Sequence, residues 1–346
     1  MERMESMTNV IRFILVAVMI FTLSGLSYTD VKAAEKQKAL FEIKTLETND
    51  GIHLTVLGKD LSDVYAFELQ FEFDSLRLQF IGASTTWEGF TVNPSIKGKH
   101  ILFAHTKVGN TKGVSGNATM TELRFKRIRG GNSDVVFKEA RLVDSSLRDM
   151  RLNQQKQVQF PSHLQTVKIN DIKNHWAETK LNQALELGVV TGYSNGTFRP
   201  DLPITRAEFS TLLARTLLLP AAQGVLKFTD EKLIPHWAKE HIAATVQAGL
   251  VKGYDDGTFQ SDRLINRSEM AVMVVRALKE QPDHIIDLTF SDTASIPVWA
   301  NPSVKLAVDQ GLMQGRGGNI FAPLDRATRA EAVSILLDVL HKLMGA

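Results

Sequence analysis

Three tryptophan–alanine pairs punctuate the second half of this chain at nearly constant spacing. Trp176-Ala177, Trp237-Ala238 and Trp299-Ala300 lie 61 and then 62 residues apart. Sixteen residues beyond each Trp stands a glycine, Gly192, Gly253 or Gly315. Six further on comes Phe198, Phe259 or Phe321, and eight beyond that Arg206, Arg267 or Arg329. Offsets held this constant mean that one structural unit is written three times, so this half must fold as an array. Repeated units make repeated surfaces, which favours binding over a single catalytic centre.

Around these landmarks the apolar period is helical. Leu181, Leu185, Gly188 and Val189 follow Trp176 at the offsets of Ile242, Val246, Gly249 and Leu250 after Trp237, and of Val304, Val308, Gly311 and Leu312 after Trp299. A second stripe, Phe209, Leu212, Leu213, Thr216 and Leu217, is echoed by Met270, Met273, Val274, Ala277 and Leu278. Each copy therefore reads as helix, loop, helix, over residues 168–219, 227–280 and 289–341. One such pair cannot bury its apolar faces alone, so the three copies are expected to share a core.

Upstream, from residue 35 to 160, the period is two. Ile52, Leu54 and Val56, then Phe67, Leu69, Phe71 and Phe73, then Ile101 and Phe103, Leu123 and Phe125, and Val135 and Phe137 alternate with polar residues. Asn49-Asp50-Gly51, Asn93-Pro94, Lys97-Gly98-Lys99 and Gly130-Gly131-Asn132 bound these runs, which read as strands of an all-β sandwich. The polar stretch near Asn153-Gln154-Gln155-Lys156-Gln157 reads as a last strand, and residues 161–167 as a short connector. The expected protein has two folded parts, a β-sandwich and an all-α array.

Bulk composition narrows the partners. A net charge of +2 lacks the basic excess of a nucleic-acid binder. The chain has no Cys, which excludes disulfides, thiolate metal sites and cysteine nucleophiles. Arg3 and Arg12, the apolar run Phe13–Leu23 and Val31-Lys32-Ala33 have the order of a secretory signal over residues 1–34. Its apolar run is shorter than the roughly 20 residues that a membrane span needs. Cleavage after Ala33 or Ala34 would leave an exported protein with no further membrane segment; the alternative is an uncleaved anchor.

The start of each second helix separates structural from functional residues. Thr205-Arg206-Ala207-Glu208 and Thr328-Arg329-Ala330-Glu331 fit the capping box, and Asn266-Arg267-Ser268-Glu269 has Asn as the cap. Caps account for Thr, Asn and Glu. They do not account for Arg, since a cation at the first helical position opposes the helix dipole. Two readings stay open for it: an anion site at a helix N-terminus, or an ion pair with an acid such as Asp201 or Asp262. Each Trp likewise is either core or an aromatic platform for a sugar ring. Asn195-Gly196 and Asp256-Gly257 read as turns, followed by Phe plugs for the core.

Taken together, Phe228-x-Asp230, His236-Trp237-Ala238, Gly253-Tyr254-x-Asp256-Gly257-Thr258-Phe259 and Thr205-Arg206-Ala207-Glu208 resemble the S-layer homology module. The resemblance covers residues 168 to 341. It implies three modules in a pseudo-threefold arrangement whose grooves bind a secondary cell-wall polymer, typically bearing pyruvylated N-acetylmannosamine, on a Gram-positive envelope. The ligand residues it implies are Trp176, Trp237, Trp299, Arg206, Arg267, Arg329 and the loop glycines Gly192, Gly196, Gly253, Gly257 and Gly315. Two copies depart from the pattern. Ile169-x-Asp171 stands two residues closer to its Trp than its counterparts do. The third copy has Val298 for His and Gly315-Arg316-Gly317-Gly318-Asn319 for Gly-Tyr-x-Asp-Gly, so its groove matches the ligand motif least.

The sandwich resembles, less specifically, a cohesin module of jelly-roll form. Phe71-Glu72-Phe73-Asp74 leading to Leu76 and Leu78, and Gly113-Val114-Ser115-Gly116 leading to Leu123-x-Phe125-Lys126, carry that likeness, with Ser75 where Pro is usual. It implies docking of dockerin-bearing secreted proteins, commonly polysaccharide hydrolases. The alternative is a sandwich that binds carbohydrate or acts as an adhesin. His53, His100 and His105 stand among Glu68, Glu72 and Asp74, but no nucleophile is set beside a base. The expected function is therefore non-catalytic and cofactor-free: an exported protein held on the cell wall, with cell-wall polysaccharide and a dockerin-bearing protein as partners.

Overall fold

The period of two becomes eight antiparallel strands in the computed structural model, which describes residues 39–162, 169–222, 226–279 and 287–345. The expected signal segment and most of the expected connector lie outside these residues. The strands are β1 (Leu40–Thr48), β2 (Gly51–Phe73), β3 (Leu78–Ser84), β4 (Phe90–Lys97), β5 (His100–Thr106), β6 (Val114–Arg127), β7 (Ser133–Asp144) and β8 (Asp149–Phe160).

Strand β2 is 23 residues long and belongs to both layers. Its first half lies between β1 and β6, and β6 carries β3; its second half lies between β5 and β7, which carry β4 and β8. Between the halves the register against β6 shifts at Leu61 and Val64, and Asp60 and Asp63 take positive φ of 53° and 54°. Such bulges bend a strand, and this pair passes β2 from one layer to the other. The layers meet through aromatic rings: Phe41 of β1 is 5.3 Å from Phe137 of β7, and Phe73 of β2 is 5.6 Å from Phe125 of β6. The expected sandwich is thus the sandwich found. One turn signal differs. Asn93-Pro94 does not bound a strand but sits inside β4, where the register shifts between Val92 and Ser95. An edge strand tolerates Pro at a bulge because no ladder partner needs its missing N–H.

The helical half contains α1 (Glu178–Glu186), α2 (Arg206–Thr216), α3 (His236–Gln247), α4 (Arg267–Leu278), α5 (Asn301–Asp309) and α6 (Arg329–Met344), two per copy. Gly188, Gly249 and Gly311, counted above as helical positions, instead stand just past α1, α3 and α5 at φ of 70°, 73° and 69°. Each ends its helix in the left-handed conformation that glycine adopts without strain. Phe198, Phe259 and Phe321 are fully buried, as plugs should be.

At the centre the three copies close a ring. The Ile204 N–H donates to Ala327 O (3.0 Å), the Ala327 N–H to Ile265 O (2.9 Å), and the Ile265 N–H to Ile204 O (3.2 Å). Short β-bridges, Pro203 to Thr328, Thr205 to Leu264 and Asn266 to Arg326, repeat the same threefold relation. Each second helix then packs against the first helix of the next copy: α2 on α3, α4 on α5, and α6 back on α1.

The sandwich is joined directly to the first copy. Buried Arg129 donates from Nη1 to Leu76 O (2.8 Å) and from Nη2 to Thr216 O (2.5 Å). The Gly130 N–H reaches Leu187 O (3.2 Å), and Arg77 pairs with Glu186 at 3.2 Å. Thr216 and Leu187 lie at the C-terminal ends of α2 and α1, where unpaired carbonyls and the helix dipole favour a cation. Hydrogen bonds from a charged donor contribute about 1.5–3 kcal/mol each. Replacing Arg129 by Met should therefore lower the urea unfolding free energy by about 2 kcal/mol or more and separate the sandwich and helical transitions. A single unchanged transition would show that the joint carries no stability.

Candidate functional site

The site is built on the start of each second helix. All three capping boxes form as expected: Thr205, Asn266 and Thr328 each accept from the N–H of the Glu three residues on. In return, one oxygen (Oε2) of Glu208, Glu269 and Glu331 accepts from the cap N–H at 2.9 Å each. The preceding loops are equally alike. Asp171 accepts from the N–H groups of Phe198 and Arg199, Asp230 from Phe259 and Gln260, and Asp292 from Phe321 and Ala322, all at 2.7–2.8 Å. The shorter spacing in copy one changes nothing in this clamp. Copies two and three spend their two extra residues on a turn of 3₁₀ helix, Glu231–Leu233 and Thr293–Ser295.

The helix N-termini are not open to an anion. The Arg206, Arg267 and Arg329 N–H groups donate to Arg263, Asp325 and Leu202 carbonyls, and the next N–H of each helix donates to Ser261, Pro323 and Pro200. With the third N–H capped, the first turn is filled by the neighbouring copy. That corrects the expectation of an anion seated on helix N-termini: its donors are spent on closing the ring.

The arginine side chains follow the same direction around the ring. Arg267 of copy two donates to Phe321 O (2.9 Å) and Gln314 O (2.5 Å) of copy three and pairs with Glu331 at 2.7 Å. Arg329 of copy three donates to Phe198 O and pairs with Glu208 of copy one, both at 3.1 Å. Arg206 of copy one donates to Lys252 O of copy two. Each guanidinium also lies over the Phe plug that it reaches, at 4.7–4.9 Å. The ion-pair reading left open above is realised for Arg267 and Arg329, but the acid is the capping Glu of the next copy, not Asp201 or Asp262. Sequence spacing could not reveal it, because the pair crosses 64 residues in one case and 121 in the other.

The tryptophans invert their more common role. Trp176, Trp237 and Trp299 are 66%, 54% and 59% exposed, while the Ala after each is buried. In each copy the Ala is the core residue and the indole stands on the rim. Trp176 is backed by His175, whose ring lies 5.4 Å away and whose Nε2 is 3.1 Å from Asp201.

The glycines are needed by the backbone. A Cβ on Gly192 would come within 2.1 Å of Ile169, on Gly253 within 2.6 Å of the Phe228 ring, and on Gly315 within 2.8 Å of the Phe290 ring. Gly196 and Gly257 hold φ of 76°, and Asn319 takes that place in copy three at 57°.

A groove of about 670 Å³ is lined by residues of all three copies: Trp176 and Lys180 of the first, Arg267 of the second, and Arg316, Glu331 and Ser334 of the third. This is the copy-three groove, the one least like the family motif. Arg316, standing where the others have Tyr, bonds Glu331 (2.7 Å), Asp325 (3.0 Å) and Arg326 O (2.8 Å). Burial opposes ionisation of Glu331, but hydrogen bonds from Arg316 and the Thr328 N–H and the charge of Arg267 hold its carboxyl below the ordinary value. Ser334 is buried and its hydroxyl has no partner among the described residues.

Removing one partner of a buried ion pair costs about 3–5 kcal/mol. Arg267→Ala should therefore destabilise the helical half by that order, whereas Trp176→Ala, on the rim, should stay within about 0.5 kcal/mol. Because the folded-state value of Glu331 is lowered, its contribution is full above the ordinary carboxylate range and is lost as the pH falls through and below it. Glu331→Gln, which keeps the cap, should flatten the fall in stability below about pH 5; an unaltered acid limb would exclude Glu331 as its source.

The helical half is similar to known proteins over its three copies. A family model for the S-layer homology domain matches residues 168–210, 227–271 and 289–333. A cellulosome-anchoring protein of Acetivibrio thermocellus is 37% identical over 149 residues, 41% of this chain and 33% of that protein. S-layer protein EA1 of Bacillus anthracis is 32% identical over 165 residues, 47% of this chain and 19% of that protein. An amylopullulanase of Thermoanaerobacterium thermosulfurigenes is 31% identical over 204 residues, 58% of this chain and 11% of that enzyme. The chain thus spans at most a third of the length of these relatives. Among solved structures, a cohesin module from a Clostridium perfringens family 33 glycoside hydrolase aligns with a TM-score of 0.32 and 11% identity, covering 36% of this chain and 95% of that module. The helical half of this protein consists of three S-layer homology domains.

Proposed function

We propose that this protein is a non-catalytic anchor at the cell surface. Its three helical domains bind a cell-wall polysaccharide, and its sandwich holds a second protein. The observation that carries the first part is the exposure of Trp176, Trp237 and Trp299 on the rims of a ring whose core is otherwise closed. A large apolar ring left in water on each of three equivalent positions has no folding rationale; sugar rings stack on such faces. We take the loop glycines Gly192, Gly196, Gly253, Gly257 and Gly315 as further contacts to the polymer; of these, Gly315 lines the groove described above. The names of the S-layer and cellulosome-anchoring relatives support the same location. We take the ligand to be an acidic secondary wall polymer carrying pyruvylated N-acetylmannosamine, with the protein exported by its N-terminal signal and retained without a covalent bond.

For the sandwich, we take a dockerin-bearing secreted protein as the partner, on the strength of the Phe71-Glu72-Phe73-Asp74 and Gly113-Val114-Ser115-Gly116 segments and of the cellulosome-anchoring relative. The outer face of β4, β5, β2 and β7 suits a protein partner. Half-exposed Phe90 and Val92 sit at its edge beside Leu102 and Ala104, and Glu68 and Arg141 sit at its centre.

Replacing all three Trp by Ala should abolish sedimentation with purified cell-wall sacculi while the helical circular-dichroism signal persists; undiminished binding would refute the platform assignment. For the sandwich, Val92→Asp in the full chain should weaken capture of a calcium-loaded recombinant dockerin at least tenfold in titration calorimetry. Failure of the unsubstituted chain to bind any dockerin, with retention on plant polysaccharide instead, would favour a carbohydrate-binding sandwich.

A further inference from the structure

The three exposed tryptophans do not stand in the same company. In copies one and two a His precedes the Trp, and an Asp follows that His 26 residues on: His175 with Asp201, His236 with Asp262. In copy three both places change together, to Val298 and, at the same offset, Leu324. Val298 is 91% exposed and Leu324 60%, so neither was exchanged to fill the core. A polar pair beside the indole has become an apolar pair.

In copy one the polar pair is held in series. The Ala177 N–H donates to His175 Nδ1 at 3.1 Å, so the ring hydrogen is on Nε2, which donates to Asp201 Oδ1 at 3.1 Å. The His175 side chain is largely buried, whereas the Asp201 carboxylate is exposed and its Oδ2 has no partner among the described residues. Asp201 and Trp176 both line the groove described above. Ser334, with its buried and unpartnered hydroxyl, lines it too. A carboxylate accepts from a hydroxyl more strongly than a neutral oxygen does, and one fixed before binding loses little freedom on binding. The indole beside it covers the apolar face of the same sugar ring.

We propose that Asp201 binds the hydroxyl groups of an uncharged sugar stacked on Trp176, that His175 positions it, and that the rim at Trp299 binds no hydroxyls because Val298 and Leu324 stand in place of that pair. This rests on the wall-polymer reading and makes it more specific. The rim at Trp176 selects a hydroxylated sugar, while the rim at Trp299 meets an apolar ring face or an acetyl methyl. Val and Leu side chains neither donate nor accept, so a hydroxyl pressed against them gives up water for nothing. Asp201 and Leu324 are then specificity-determining residues, and His175 is a positioning residue.

The test uses the full nitrogen-labelled chain, with methyl N-acetylmannosaminide as probe and sacculus sedimentation alongside. The probe should displace the indole signal of Trp176 at a concentration at least tenfold below that needed at Trp299. The His175 ring should show Nε2 as its protonated nitrogen in a long-range nitrogen–proton spectrum, and that signal should move with the probe. Asp201→Ala should weaken the Trp176 response at least tenfold, abolish the movement at His175 and leave the Trp237 response unaltered. Val298→His combined with Leu324→Asp should bring the Trp299 response to within about threefold of that at Trp176. Sacculus binding with a Trp176 response indifferent to Asp201→Ala, or with equal responses at Trp176 and Trp299 in the unsubstituted chain, would overturn the assignment and leave the wall-polymer reading intact. Absence of sacculus binding by the unsubstituted chain would overturn both.

Discussion

Everything in the helical half depends on the ring that three short segments close around the pseudo-threefold axis. The bonds from Ile204 to Ala327, Ala327 to Ile265 and Ile265 to Ile204 pair backbone groups that would otherwise be buried without partners. They also place each second helix so that its first two N–H groups meet carbonyls of a neighbouring copy. Once those donors are filled from outside, an arginine at the first helical position no longer suffers from the helix dipole in isolation. Its side chain reaches into the adjacent copy, lies on that copy's buried Phe and bonds its loop carbonyls. The ring therefore explains a residue choice that opposes the rule for a solitary helix.

This arrangement divides labour between inside and rim. Arginine, aspartate, phenylalanine and the capping pairs hold copies together; the indoles, left outside, are free to meet a ligand. The division is nearly the opposite of what local chemistry suggests, because capping leaves Arg unexplained and the apolar area of an indole suits a core. Local rules see one copy at a time, and the deciding contacts are between copies. What could be read from the chain directly was the copying itself, the helix–loop–helix unit, the caps and the Phe plugs, since all of these are set by offsets within one copy. The period of two likewise made the sandwich legible. The passage of β2 from one layer to the other was not, because the change of apolar phase between Val56 and Phe67 reads equally well as two separate strands.

Departures between copies gain meaning in the same frame. The two residues missing before Trp176 cost copy one a 3₁₀ turn but leave the Asp171 clamp unchanged. Arg316 in place of Tyr gives copy three a second cation on Glu331, and Tyr254 gives copy two a hydroxyl on Glu269. The sandwich joins this body through Arg129 and Gly130 at the ends of α1 and α2, so its outer sheet face is held in a defined orientation to the ring. A protein bound there would be carried rigidly on the helical ring, not on a loose tether.

The most direct test of the central claim uses the four tryptophans as reporters. Three stand exposed on the ring, and the fourth, Trp87, lies in the sandwich with its indole N–H bonded to Thr119 O at 2.7 Å. In a nitrogen–proton correlation spectrum of the labelled chain, wall polymer released from sacculi should displace the indole signals of Trp176, Trp237 and Trp299 and leave that of Trp87 in place. Displacement of Trp87 alone, or of none of the four at saturating polymer, would contradict a ring that meets the wall through its exposed indoles.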